Sequence, residues 1–219
     1  MKNKKVLVIV AHPDDETIWM GGTLLKNKDN WNTTIISLCR KDDPDRAPKF
    51  KRVCEVYNSK SFMSDLEDEE LNDLDSNEVI KRIEQFSKKD YDYIFTHGKN
   101  GEYGHKRHLD VNKAVLEMID KKILACKTLF LFDYLKISAT GTDTGFSSIP
   151  NPKPDKFINL NTILFMKKRE LIHMIYGFKK ESFEFRCCKD KESFKIIKNN
   201  LKDIHNFKNL TFIEEKKYK

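Results

Sequence analysis

Two alternating apolar rhythms constrain this chain more than anything else in it. The runs "KVLVIVA" (5–11) and "TTIISLC" (33–39) are short, β-branched and almost unbroken. Strands that read this way are covered on both faces, as in parallel sheets. "YDYIFTH" (91–97) and "TLFLFDY" (128–134) repeat the pattern, and "SFMSDL" (61–66) follows it more weakly. Between them, segments near 15–29, 48–60, 76–89 and 107–122 space apolar residues three or four apart with charges opposite, as amphipathic helices do. Strand, helix, strand, helix implies right-handed crossovers. The expected architecture is a three-layer, Rossmann-like α/β domain: a mostly parallel sheet with helices on both faces. A chain of 219 residues fits one such domain, so 1–219 is expected to be a single unit.

After Tyr134 the rhythm changes. "KISATGTDTGFSSIPNPKPDK" (136–156) gathers glycine, serine, threonine and proline and reads as a long loop. Loops of that length in compact domains are lids, binding loops or disordered segments, and this one is expected to border the active site. A strand ("KFINL"), a helix ("TILFMKKRELIHMIYGF"), a second helix ("DKESFKIIKNNLKDI") and a strand ("NLTFIEE") are expected to complete the fold.

No apolar run approaches the roughly 18–20 residues that span a bilayer. The amino terminus imitates a signal peptide briefly, then runs into acids without a small-residue cleavage site. Cys39, Cys54, Cys126, Cys187 and Cys188 show no CxxC spacing and read as reduced thiols, so a cytoplasmic location is expected. The net charge of +7 is uneven. Residues 186–219 hold ten basic and five acidic side chains, whereas 64–78, "SDLEDEELNDLDSNE", holds eight acids and no base. The basic tail lacks the aromatic interleaving that stacks on bases, so a solvated face is expected there and nucleic acid is not an expected partner.

Ligands of open α/β sheets collect beyond the carboxyl ends of the strands. Two polar clusters fall there: His12-Pro13-Asp14-Asp15-Glu16 after the first strand, and "THGKNGEYGHKRH" (96–108) after the strand ending near Thr96. A helix starting near Pro13 brings His12 and Asp15, three apart, to one side, with Asp14 aimed at the open end. The helix amino terminus is expected to keep both aspartates ionised. His105 and His108 repeat the three-residue spacing at a second helix start. Two imidazoles and one carboxylate suit zinc (Zn2+) with a coordination position left for water; the same set suits ferrous iron (Fe2+). Taken singly, the clusters have plainer readings as a helix cap and as surface histidines. Their joint placement at strand ends points to a metal.

"AHPDDE", followed by "GGTL" (21–24) and by "THGKNGEYGHKRH", resembles the LmbE/PIG-L family of metal-dependent N-deacetylases, whose members act on N-acetylglucosaminyl-phosphatidylinositol, mycothiol precursors and lipoglycopeptide sugars. "FKRVCEVYNSKSFMSDLEDEEL" resembles the family's arginine-x-x-glutamate helix followed by a strand and an aspartate-leucine pair. The resemblance covers about residues 4–120. It implies His12, Asp15 and His108 as metal ligands, Asp14 as general base and His105 as the group that stabilises the transition state. On this reading Asp14 takes a proton from zinc-bound water as it attacks an acetamide, then delivers it to the departing amine. His105 hydrogen-bonds the oxyanion.

One departure stands out. The family reads histidine-proline-aspartate-histidine where this chain has His105-Lys106-Arg107-His108. The missing aspartate removes a carboxylate of the kind that orients a ligand imidazole. Lys106 and Arg107 either lie solvated on the outer helix face or meet an anionic substrate such as a nucleotide-sugar. His97 either lines the pocket or is a hydrogen-bonded structural histidine. Glu102 and Tyr103 are candidates for contacts to substrate hydroxyls. Arg52 either sits near the site or pairs with Glu55. Gly21 and Gly22 read as a close-packing or kink position, and His173 and His205 as structural. The expected function is zinc-dependent N-deacetylation of an amino sugar or its conjugate. The alternatives are another metal-dependent amide hydrolase of the same fold, or a non-catalytic binder of anionic partners through the tail.

Overall fold

The computed structural model describes residues 3–138 and 145–198. Strands β1 (Lys4–Val10), β2 (Trp31–Cys39), β3 (Lys60–Leu66), β4 (Asp90–Thr96) and β5 (Ala125–Phe132) are parallel. Strands β6 (Tyr134–Ser138) and β7 (Phe146–Pro150) form a separate antiparallel pair. Strands β8 (Lys156–Asn159) and β9 (Lys191–Lys198) join the main sheet antiparallel, giving the order β3-β2-β1-β4-β5-β9-β8.

The unbroken apolar run of β1 is explained by burial on both sides. Val6, Val8 and Val10 face one core, shared with α1 (Asp15–Asn27), α2 (Arg46–Val56) and α6 (Thr162–Glu170), which continues as the π-helical Leu171–Ile175. Leu7, Ile9 and Ala11 face the other, shared with α3 (Ser76–Glu84) and α5 (Lys106–Asp120). These five strand residues and Ala11, just past the strand, are fully buried. From β1 the chain winds outward through β2 to β3, then returns to place β4 on the other side of β1, pairing Ile9 with Thr96. That reversal of direction opens a crevice at the carboxyl ends of β1 and β4. Both polar clusters of the sequence enter it.

Two segments differ from expectation. Within the stretch 136–156, residues 136–138 and 146–150 are paired strands of β6 and β7 and β8 begins at Lys156, while 139–144 lie outside the described residues. The segment expected to be helix from Asp190 is the strand β9, held between β5 and β8. Its short "SFKII" core fits either period, and pairing on both edges decides for the strand. The expected strand "NLTFIEE", His205 and most of the basic tail lie outside the described residues. Among the described residues no helix is long and apolar enough to cross a membrane.

Candidate metal and catalytic site

At the end of β1 the chain turns sharply. Asp14 has φ 113°, a left-handed conformation unusual for a side-chain-bearing residue, and its carbonyl accepts from Thr17 and Ile18 to start α1. The turn is tied from below: the Asp14 N–H donates to the Glu16 carboxylate at 3.1 Å. The same backbone places His12 and Asp15 side by side, with the His12 N–H on Asp15 Oδ2 at 2.8 Å.

From β4, His97 reaches across to β1, its Nε2 accepting the Ala11 N–H at 2.9 Å and its Nδ1 meeting Glu102 Oε2 at 2.8 Å. Glu102 sits in α4, the single turn Gly101–Gly104, with φ 58°. Its second oxygen accepts the Gly98 N–H at 2.7 Å, and Oε2 also holds His108 Nδ1 at 2.6 Å. The His97 and His108 rings stack with centroids 3.9 Å apart.

These supports leave three donor atoms facing one another. His12 Nδ1 lies 3.2 Å from Asp15 Oδ2 and 3.3 Å from His108 Nε2, and His108 Nε2 lies 3.3 Å from Asp15 Oδ2. The outer nitrogens are engaged by carboxylates, His12 Nε2 by Asp68 Oδ1 at 2.8 Å and His108 Nδ1 by Glu102, so each ring, when neutral, turns a lone pair inward. Asp15 Oδ1 is fixed by the Trp19 indole N–H at 2.9 Å. Two imidazole nitrogens and a carboxylate oxygen at these spacings match a triangular face of a tetrahedron whose bonds are about 2.0–2.1 Å, for which edges are about 3.3–3.4 Å. The donor set therefore fits a zinc-like cation. His97 also comes near Asp15 and His108, but its Nε2 is already spent on the Ala11 N–H.

The electrostatics agree. Burial raises the Asp15 carboxyl, but the charge of His108 and the hydrogen bonds from His108 and His12 outweigh it and hold it well below the usual range. Burial lowers His108, yet Asp15 and Glu102 push it up to about 10, so the cluster attracts positive charge. Asp14 behaves oppositely: burial, with the Asp15 charge beside it, pushes its carboxyl well above the usual range. The two aspartates at the helix start are therefore shifted in opposite directions, burial and like-charge proximity outweighing the dipole at Asp14. Arg46 Nη1 on Asp14 Oδ2 at 2.9 Å opposes the rise. His105 is lowered to about 3 by burial and by the neighbouring histidines. Its Nδ1 accepts the Arg107 N–H at 3.3 Å, so the neutral ring carries its proton on Nε2.

Beside the cluster opens a cavity of about 300 Å³, at the small end of the roughly 300–1,000 Å³ typical of ligand sites. Trp19, Tyr103 and Phe183 form an aromatic wall, and Arg40, Arg46 and Glu184 lie among its polar groups. His12, Asp14, Asp15, His105 and Tyr103 line it as the sequence suggested, with His108 just behind. Glu102 and His97 do not: both are fully buried and hold the imidazoles from beneath. Glu102 is thus corrected from a substrate contact to a support. Arg52 is exposed on α2 and does not line the cavity; Arg46, one and a half turns earlier, does. Arg107 is fully buried and so does not meet an anionic substrate, while Lys106 pairs with Asp73 at the surface and does not line the cavity. The described residues of the 136–156 stretch do not line the cavity; Phe146 braces Tyr103 and Phe183 from behind. Sequence reasoning missed Arg40, Arg46, Asp68 and Glu184. Arg40 directly follows β2 and Asp68 follows β3 by two residues, so the strand-end rule applied to all strands would have found both.

Residues 7–119 match the family described as PIG-L, GlcNAc-PI de-N-acetylase. An uncharacterised protein of Acanthamoeba polyphaga mimivirus is 26% identical over 131 residues, covering 51% of this chain and 56% of that protein, so the chain spans little more than half of this relative. Among solved structures, the N,N'-diacetylchitobiose deacetylase of Pyrococcus horikoshii, complexed with an inhibitor, superposes with a TM-score of 0.68 at 17% identity, covering 96% of this chain and 88% of that one. A conserved protein of Thermus thermophilus gives 0.62 at 14% identity, covering 88% and 94%. The 4-carboxy-2-hydroxymuconate hydratase GalB of Pseudomonas putida gives 0.60 at 12%, covering 90% and 97%. These structures share the fold.

Proposed function

The chain belongs to the PIG-L family of GlcNAc-PI de-N-acetylases, and from that premise we propose that it is a metal-dependent N-deacetylase that removes the acetyl group of an amino sugar or a conjugate of one. His12, Asp15 and His108 would hold the cation, zinc in this reading, with ferrous iron suited to the same donors. When bound, such an ion polarises an amide carbonyl and lowers the pKa of water to about 7.

The remaining chemistry belongs to the chain. Asp14 takes the proton from the attacking water and passes it to the nitrogen of the departing amine. Its raised proton affinity suits both steps, and the Arg46 bond keeps Oδ2 aimed. His105 Nε2–H donates to the carbonyl oxygen as negative charge gathers there, and a ring lowered to about 3 does so as a neutral donor. The half-buried Tyr103 and Phe183 rings, backed by the buried Trp19, offer a surface for the apolar face of a sugar ring. Arg40 lines the cavity with its side chain 37% exposed and, while it pairs with Asp68, offers a cation to an anionic or nucleotide-linked substrate. The reading takes 1–219 as one catalytic unit, supported by β9 pairing in the same sheet as β1. The five free thiols support a reducing, cytoplasmic setting.

The observation that carries the proposal is the triangle of donors 3.2–3.3 Å apart, flanked by Asp14 and His105 in one cavity. Acetate release is measured against a panel of N-acetylated amino sugars, free and phosphate-linked, after chelation and after zinc is restored. Release that depends on zinc is expected. Because a hydratase shares the fold, fold alone does not decide the chemistry; zinc-loaded protein that releases acetate from none of the panel would overturn the proposal.

A further inference from the structure

Two charged features of the sequence make no contact with the reacting groups apart from Asp68: the acid-only stretch 64–78, and the Lys106-Arg107 pair set between two histidines. The fold joins them. Arg107 is among the largest fully buried side chains. Its Nε donates to the Glu67 carbonyl and its Nη2 to the Glu67 carboxylate. Its Nη1 donates to the Asn72 carbonyl at 3.0 Å and to Asp110 Oδ2 at 2.7 Å. Lys106 pairs with Asp73. The first turn of α5 therefore grips both ends of the segment 67–73. Inside that segment is Asp68, whose Oδ1 lies 2.8 Å from His12 Nε2 and whose Oδ2 accepts from Arg40 at 2.8 and 3.1 Å.

We propose that Arg107 is the positioning residue for His12: by fixing the loop after β3 it sets Asp68, and through Asp68 the tautomer and orientation of the His12 ring. The inference rests on the cation reading above only in taking His12 as a donor. Two of the four acceptors are backbone carbonyls, so the guanidinium pins the course of the loop as well as neutralising its charge. Only a planar fork with donors on three nitrogens reaches all four; a lysine presents one nitrogen. The same helical turn carries His108, which Glu102 orients directly. One turn of α5 thus governs both imidazoles, one in person and one through the loop. The carboxylate missing between the two histidines is replaced by a cation that gathers carboxylates from elsewhere in the chain.

Arg107→Lys keeps the charge and loses the fork. In chelated protein, hydrogen exchange at the amides of 67–73 and of 11–15 should quicken by about 10-fold or more while β5 keeps its protection. Zinc affinity, read by competition with a chromophoric chelator, should fall about 10- to 100-fold. In an Asp68→Asn background the same substitution should change zinc affinity less than about twofold, because the route through Asp68 is already cut. Should Arg107→Lys not accumulate as folded protein, Glu67→Gln removes one arm of the grip and should shift both readouts in the same direction by less. Faster exchange confined to 67–73, or full effects that add to those of Asp68→Asn, would overturn the inference. Wild-type protein that takes up no zinc would sink the cation reading and leave this one to the exchange measurement.

Discussion

Asp14 and Asp15 are chemically identical neighbours that the fold drives apart. Asp15 lies against His12, His97 and His108 and is held as an anion. Asp14, on a left-handed backbone one residue earlier, faces the cavity, where burial and the Asp15 charge favour its protonated form. Under the proposed function, one dipeptide thereby supplies both a proton donor-acceptor and a cation ligand. Asp14→Asn should keep zinc at wild-type stoichiometry and lose about 10²- to 10⁴-fold in kcat, the usual worth of a general base; lost zinc, or retained turnover, would reverse the assignment. The residues at this scale that sequence reasoning reached, His12, Asp14, Asp15, His105 and His108, lie in two short motifs at the ends of two recognisable strands. Arg46 was missed because it acts through a pairing made only in three dimensions, across 32 residues to Asp14, whereas Arg40 and Asp68 stand just past the ends of β2 and β3, where the strand-end rule was not applied. Glu102 was found but misassigned. Nothing in "NGEYGH" says that its backbone turns left-handed and points the carboxylate inward.

The elements show the same limit. The parallel strands and four main helices follow from burial on two faces, which local periodicity records. β9 does not, because a strand set between two others is decided by its neighbours. It also carries a buried charge that the sequence gives no reason to expect. α1 departs from helical geometry at Met20 (φ −146°), and Gly22 packs against Leu160 so closely that an added Cβ would collide with its side chain. The second half of α1 thus begins with unpaired N–H groups. Glu192 of β9 accepts those of Gly22 and Thr23 at 2.8 Å each, and takes Lys168 Nζ from α6 at 2.7 Å. Lys168 and Glu192 are both fully buried, and removing one partner of such a pair costs about 3–5 kcal/mol. Glu192→Gln should therefore lower Tm by about 10 °C, at roughly 2–4 °C per kcal/mol for a chain of this size. Adding Lys168→Met should restore more than half of the loss. A single variant within about 2 °C of wild type would show that the kink is held by something else.

Across the whole molecule, the amino-terminal motif is bound to the carboxy-terminal third through one carboxylate. Glu16, fully buried, accepts the Tyr176 hydroxyl at 2.8 Å, the Thr17 hydroxyl at 2.5 Å and the Asp14 N–H at 3.1 Å. Thr17 in turn meets the Tyr57 hydroxyl at 2.7 Å. The helix bearing Asp14 and Asp15 is thus seated on side chains from both halves of the chain. Burial raises Glu16 from 4.5 to about 7, against the pull of those three hydrogen bonds and with a small addition from Asp15. A carboxyl raised on folding binds its proton more tightly in the native state, so its stabilising effect is complete below about pH 4.5 and is lost as pH climbs through 7. Glu16→Gln removes this dependence while leaving an amide that can serve the same partners, the two hydroxyls being free to rotate. In chelated protein, wild type should lose about 2–3 kcal/mol of unfolding free energy relative to Glu16→Gln between pH 5 and pH 8, the worth of a shift of this size. Denaturant melts at three or four pH values measure the difference directly, since groups other than Glu16 are common to both proteins. Parallel curves would mean that the carboxylate is already ionised at the lower pH, and that the hydrogen bonds around it outweigh its burial.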